Sequence, residues 1–266
     1  MVKKIIKFFI FILIVIIIAL AVIGWYGHGY YEKTIAKTPI ETKVKEIREE
    51  YTFVKSDNIP ENYFKAVVAV EDKRYYNHGA ADIFGIGRAI VVNTKNKELQ
   101  EGGSTITQQV AKNMYFIDDD SDVVKRKVAE MFTAMELEKK YSKDEILELY
   151  ANIIYFGNGY YGINEACQGY LHKDPKDMNL AECTMMAGIP NAPSVYAPTV
   201  NKDLCKKRQQ KVISSMVDNG DITKELAEKI DSSFIDEIWA WRELWKKWLI
   251  YFQISKKLQE LLMLTK

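Results

Sequence analysis

The stretch Gly102-Gly103-Ser104-Thr105-Ile106-Thr107-Gln108-Gln109-Val110-Ala111-Lys112-Asn113 passes from a chain break into a helix within a few residues. Adjacent glycines let a backbone approach a ligand closely. Thr105 with Gln108 reads as a capping box, so the spacing predicts a helix running to about Met114. The unbonded N–H groups at such a helix start favour an anion. Gln108 and Lys112 sit at i,i+4 and share a face. That face suits phosphate or sugar; the plainer reading of the same string is an ordinary capped helix.

Upstream lies Val70-Glu71-Asp72-Lys73-Arg74-Tyr75-Tyr76-Asn77-His78. It closes a segment opened by Pro60-Glu61 and carrying apolar Phe64, Val67, Val68 and Val70. A carboxylate pair at the end of an apolar helix is chemically unusual. Partial burial there raises a carboxylate pKa and suits Glu71 to accept a proton near neutral pH. The competing reading is a solvated Glu-Asp pair at a helix end.

Downstream, Asp118-Asp119-Asp120-Ser121-Asp122 forms an acidic loop and a helix entrance. Val128, Met131, Phe132 and Met135 then repeat at helical spacing. Arg126 and Glu130, at i,i+4, fall opposite that apolar stripe. They read either as a surface ion pair of little energetic weight or as a second carboxylate held among cations that face a phosphate. Ser142 with Glu145 and Asn179 with Glu182 are further capping boxes, and Gly188 then Pro190 end the last of these helices. Alternating strand patterns are few and no repeat is evident, so the fold class is mainly α. Gly157-Asn158-Gly159-Tyr160-Tyr161-Gly162 matches GxGxxG, but a dinucleotide site needs a strand before it inside a βαβ unit. A tight turn between helices is expected instead.

The N-terminus sets the compartment. Lys3, Lys4 and Lys7 precede an uncharged run from Phe8 to Tyr26. At roughly 1.5 Å per helical residue that run spans close to the ~30 Å hydrocarbon core. Trp25, Tyr26, Tyr30 and Tyr31 suit the far interface, and the lysines favour a cytoplasmic N-terminus. A cleaved signal peptide is the alternative, with Ala19-Leu20-Ala21 as the site. The apolar run continues past that site through Val22 and Ile23. Residues 1–27 therefore read as a stub and membrane anchor, 28–50 as a polar juxtamembrane stalk, 51–232 as the main domain and 233–266 as a tail. The tail carries Trp239, Trp241, Trp245 and Trp248; Trp241, Trp245, Trp248 and Phe252 fall on one stripe. It reads as an amphipathic helix in the membrane interface, as a helix packed on its own domain, or as a tail altered by a frame change or junction.

Composition excludes several classes. The 266 residues carry 37 Lys+Arg against 36 Asp+Glu, a net charge of +1, so no basic excess points to nucleic acid. With 27% charged and 48% hydrophobic residues, the chain has room for a sizeable core. Cys167, Cys183 and Cys205 are far apart, which argues against a disulfide scaffold or zinc ribbon. His28, His78 and His172 form no HExxH site.

Taken together, these strings resemble the family 51 glycosyltransferases, the peptidoglycan polymerases of bacteria. Five blocks match in order: Glu71-Asp72 with Tyr75 and His78; Gly102 to Asn113, the most specific; Arg126-Lys127 with Glu130; Lys143 to Asn152 followed by Tyr155-Phe156-Gly157 and Gly162-Ile163; and Leu180-Ala181-Glu182 through Pro190 to Tyr196. The resemblance covers about Tyr51 to Ile230. It implies a lysozyme-like, bilobal, mainly helical domain with a hydrophobic lobe dipping into the membrane, preceded by a single transmembrane helix with the domain outside. It implies lipid II and the nascent glycan strand as substrates, with roles in peptidoglycan synthesis, cell-wall biogenesis and cell shape beside other cell-wall synthesis proteins. By the same resemblance Glu71 deprotonates the acceptor 4-hydroxyl for inverting attack on the donor anomeric carbon. Glu130 organises the leaving pyrophosphate, with a divalent cation (Mg²⁺ or Mn²⁺) as its expected partner. Lys112, Arg126, Lys127 and Arg88 balance diphosphate charge. Ser104, Thr105, Gln108 and Gln109 line the donor site, and Asp72 and His78 belong to the substrate-binding set.

The sequence departs from the family pattern at Tyr75 (usually Phe), at Ala80 (usually Gly), in the acidic linker before Arg126, and at Cys167 and Cys183, which read as small buried side chains. No SxxK follows the transferase region and no KTG occurs, so a monofunctional form or a transferase fragment is expected. Two rivals remain: a lysozyme-like glycan-cleaving enzyme, which needs no phosphate blocks, and a non-catalytic membrane-anchored cell-wall scaffold.

Overall fold

A computed structural model describes residues 2–85, 87, 103–117, 119 and 122–264, with side chains from Lys4 to Gln253 within those ranges. Arg88, Gly102, Asp118 and Asp120, all singled out above, lie outside the described residues. The chain is mainly helical and packs as two compact units, residues 1–53 with 74–154, and residues 54–73 with 155–266.

The first unit begins with α1 (Val2–Lys37), a single helix. Its segment from Lys4 is long and apolar enough to cross a membrane, and its apolar side chains from Ile5 to Val22 are exposed. Thr38-Pro39 breaks the helix, because a proline has no N–H to continue the ladder, and α2 (Ile40–Glu49) follows. Residues 28–37 and 40–49 are thus helical, with Ile40 and Val44 buried. Three further helices belong to this unit: α4 (Ile106–Tyr115), α5 (Val123–Lys140) and α6 (Lys143–Ile153). Thr105 and Gln108 form the expected capping box on α4, and Ser142 and Glu145 that on α6. Asp122 caps α5 by accepting from the N–H groups of Val124 at 2.8 Å and Lys125 at 3.2 Å.

The buried residues of α5 are Ala129, Glu130, Thr133, Ala134 and Leu137. The apolar stripe that repeats at helical spacing meets α1 at Val128 and Phe132. A Cβ on Gly27 would lie 2.3 Å from Val128 Cγ1, so only glycine lets the helices approach this closely. The rings of His28 and Tyr31 stand 4.8 and 5.9 Å from that of Phe132. Lys125 lies over the Tyr30 ring at 4.0 Å, and the Tyr30 hydroxyl donates to Asp119 Oδ2 at 2.7 Å.

The second unit is built on α3 (Glu61–Glu71), α8 (Leu180–Gly188) and α10 (Lys202–Asn219), which pack together. Tyr63, Val67, Met186, Val212 and Met216 are fully buried there. The Asn179–Glu182 box caps α8 as expected. β1 (Tyr155–Gly157) and β2 (Tyr160–Tyr161) pair antiparallel and lead into α7 (Gly162–Leu171). The GxGxxG string is therefore the turn of a hairpin rather than a turn between helices, and its pairing is not that of a βαβ unit. Gly157, Asn158 and Gly159 all take positive φ (88°, 54° and 84°), which is what this tight reversal demands. Short helices α9 (Pro193–Tyr196) and α11 (Lys224–Ala227) flank α10, and α12 (Phe234–Leu264) ends the described chain. The three cysteines are buried and unbridged, as expected of small core side chains; burial pushes the Cys183 and Cys205 thiols up to about 12.

Candidate active site

One group of candidate residues lies at the C-terminus of α3. Pro60 precedes that helix at its N-cap, and the apolar positions Ala66, Val67 and Ala69 face the core. The helix thereby carries its last residue, Glu71, inward: the side chain is 9% exposed. Asp72 follows as the C-cap, buried, its N–H donating to the Val68 carbonyl at 3.1 Å. The solvated-pair reading does not describe this pair. Arg208 Nη2 donates to Glu71 Oε1 at 3.0 Å. Arg208 Nε also donates to the Gly188 carbonyl at 3.2 Å, and the guanidinium lies over the Tyr196 ring at 5.6 Å. Three elements, α8, α9 and α10, thus fix the cation that faces Glu71. An ion pair with both side chains about nine-tenths covered is costly to desolvate and is retained where its geometry serves a task.

A second group lies in the first unit. Glu130 is 1% exposed, on the buried face of α5. Lys127 Nζ donates to Glu130 Oε2 at 2.6 Å and reaches Ser104 Oγ at 3.4 Å. Arg126 Nε stands 3.6 Å from Glu130 Oε1, an ion-pair distance beyond hydrogen-bond reach, and among the described residues both atoms are buried without a hydrogen-bond partner. The surface ion-pair reading fails on Glu130's burial. Arg126 Nη1 donates to the Asp119 carbonyl at 2.5 Å, so part of the acidic linker holds this arginine by its backbone.

The remaining candidates divide by what their side chains do. The Thr105 hydroxyl and Gln108 Nε2 both donate to the Ala80 carbonyl, at 2.9 and 3.0 Å, besides forming the α4 cap. These two residues tie the start of α4 to the segment after His78. The His78 Nδ1 lies 2.5 Å from the Gly79 carbonyl. The Gln109 carbonyl accepts from Asn113 Nδ2 at 2.8 Å. Lys112 is exposed and, among the described residues, forms no ion pair. Sequence reasoning missed Arg208 and also Glu138, which accepts from Thr107 Oγ1 and from Lys143 Nζ, both at 2.7 Å. Lys143 in turn sits over the Tyr75 ring at 4.4 Å, and the Tyr75 hydroxyl donates to the Lys143 carbonyl at 2.9 Å. The Tyr in place of the family's Phe is thereby accommodated.

A divalent cation takes several oxygen ligands. Glu130 belongs to no cluster of three or more His, Cys, Asp or Glu ligand atoms among the described residues, and two cations already crowd it. The donor set does not fit a resident metal at Glu130.

Two covered carboxylates in different electrostatic surroundings can take two different roles in acid–base chemistry. The transglycosylase family matches residues 38–217, and the chain belongs to that family. Penicillin-binding protein 1A of Neisseria flavescens is 45% identical over 171 residues, 64% of this chain and 21% of the relative. Penicillin-binding protein 1F of Bacillus subtilis (strain 168) is 41% identical over 174 residues, 65% of this chain and 24% of the relative. The crystal structure of penicillin-binding protein 1A from Haemophilus influenzae aligns at a TM-score of 0.38 with 22% identity, over 70% of this chain and 17% of that one. The chain spans about a fifth of the length of the first of these relatives.

Proposed function

We propose that this chain polymerises lipid II into glycan strands as a membrane-anchored peptidoglycan glycosyltransferase. The growing strand is transferred from undecaprenyl pyrophosphate to the 4-hydroxyl of the acceptor N-acetylglucosamine with inversion. The observation that carries this reading is a pair of covered carboxylates that both face cations: Arg208 meets Glu71, and Lys127 and Arg126 meet Glu130.

Attack on an anomeric carbon needs a base at the nucleophile and charge stabilisation at the leaving group. Glu71 accepts the acceptor's hydroxyl proton as the new C–O bond forms. The bond to the diphosphate breaks, and its electron pair leaves on a group already stable as an anion, so no strong acid is required. Lys127, Arg126 and the exposed Lys112 offset that charge, and Glu130 holds Lys127 in place. The apolar part of α1 confines the enzyme to the surface that carries its lipid substrate.

The test is incubation of detergent-purified protein with labelled lipid II and Mg²⁺, with Glu71→Gln alongside. Polymer from the wild type and a loss of at least about 100-fold in the variant is the expected result. Equal activity in the variant removes the base assignment. Cleavage of preformed glycan without polymerisation would indicate the hydrolytic rival, and lipid II binding without turnover the scaffold.

A further inference from the structure

The tail helix α12 lies beyond residues 38–217 that match the family, and the transfer chemistry makes no use of it. Its first turn is clamped to the second unit: Ile235 is fully buried, and Asp236 accepts from Lys202 at 3.0 Å and from Lys206 at 2.5 Å. Past that clamp the helix is uncovered. Trp241, Leu244, Trp245, Trp248, Leu249 and Phe252 are each between 46% and 61% exposed. At roughly 100° per residue these six fall within an arc of about 140°. Arg242, Glu243, Lys246 and Lys247 take the other side, which also carries Ile250, and Tyr251 borders the arc. The aromatics contact one another: Trp245 and Trp248 meet edge-on at 5.4 Å, and Trp248 stacks on Phe252 at 5.3 Å. A packed continuous apolar face of this kind is rare on a surface that meets only water.

Charge and neighbourhood choose the occupant. From Trp241 to Lys266 the sequence holds six Lys or Arg against two Glu, a net +4 in a chain whose total is +1. A tryptophan-rich apolar arc flanked by lysines matches the boundary between acyl chains and anionic headgroups. The same chain carries a membrane-length apolar helix, so a bilayer surface is present at high effective concentration. We infer that residues 241–253 of α12 lie in the interfacial plane of an anionic bilayer, as a second attachment point distinct from α1.

The full chain, with Trp25→Phe and Trp239→Phe so that emission comes from Trp241, Trp245 and Trp248, is reconstituted one per nanodisc. The discs contain phosphatidylcholine alone or with phosphatidylglycerol, and lipids brominated near the headgroup serve as quenchers. The expected result is quenching that strengthens with the anionic lipid. Lys246→Ala with Lys247→Ala lowers the docked fraction in anionic discs by about fivefold per lysine where docking is unsaturated. Unquenched emission in both discs overturns the inference. Quenching that ignores both the anionic lipid and the lysines overturns the assignment of an anionic surface. A blue shift only when two chains share a disc assigns the face to a second copy and overturns it likewise.

Discussion

Arg208 and Glu71 lie 137 positions apart in sequence and 3.0 Å apart in space. If that guanidinium orients the base, Arg208→Lys keeps a cation but loses the simultaneous hold on the Gly188 carbonyl. The expected outcome is a fall of roughly 10-fold or more in kcat with KM for lipid II little changed, because only the base's aim is disturbed. Steady-state polymerisation kinetics checks it. A parallel fall in thermal stability and KM would reduce Arg208 to a scaffold residue. Glu145 offers a test by pH. The Ser142 N–H first, and then Arg48, hold its carboxyl below its ordinary value of 4.5. A depressed carboxylate pKa contributes stability that is present above the unfolded value and lost as pH falls through the folded one. The melting temperature of the wild type should therefore exceed that of Glu145→Gln at neutral pH. The gap should shrink below pH 4.5. A gap that is constant from neutral pH to acid would remove the charge from this cap.

At the scale of elements, the α1–α5 seam rests on Gly27. Gly27→Leu drives a side chain into Val128 and the Lys125 carbonyl. Overpacking of this kind costs about 1–3 kcal/mol, and thermal unfolding should show the loss. What was legible in the sequence follows the same scale. The boxes at Thr105–Gln108, Ser142–Glu145 and Asn179–Glu182 are local, three residues apart, and each sits where the spacing placed it. The burial of Glu130 was not legible. The spacing of Val128 and Phe132 showed a helix face but not its partner, because the residues that meet it, Gly27, His28 and Tyr31, lie about a hundred positions away in the anchor and stalk. The hairpin escaped because strands of three and two residues are too short to show alternation. No local pattern announces Arg208, since its partner is set by the packing of α3 against α8 and α10.

For the whole molecule, the retained-anchor reading makes a direct prediction. Protein expressed in a bacterial host should stay in the membrane pellet after an alkaline carbonate wash, and its intact mass should include residues 1–21. A soluble product beginning after Ala21 would establish the cleaved alternative. The family assignment itself was carried by five ordered blocks, and the matched residues 38–217 contain all of them. The match also begins within 28–50, where α2 buries Ile40 and Val44.

The unbroken course of α1 has a geometric consequence. The contacts of α1 with α5 begin where the uncharged run ends, at Tyr26, whose ring centre lies 5.5 Å from Lys125 Nζ, and continue through Gly27, His28 and Tyr31. With that run in a bilayer, a rise of roughly 1.5 Å per residue puts the whole seam within about 8 Å of the run's end. The helix works as a ruler. On the proposed function, it would set the altitude of Glu130 and Lys127 near the layer of a lipid-linked diphosphate, so that the substrate need not be lifted out to be reached. Four residues inserted between Ile23 and Gly24 would leave the seam contacts from Tyr26 onward in place and raise them by about 6 Å. Polymerisation should then fall with no side chain of the site altered.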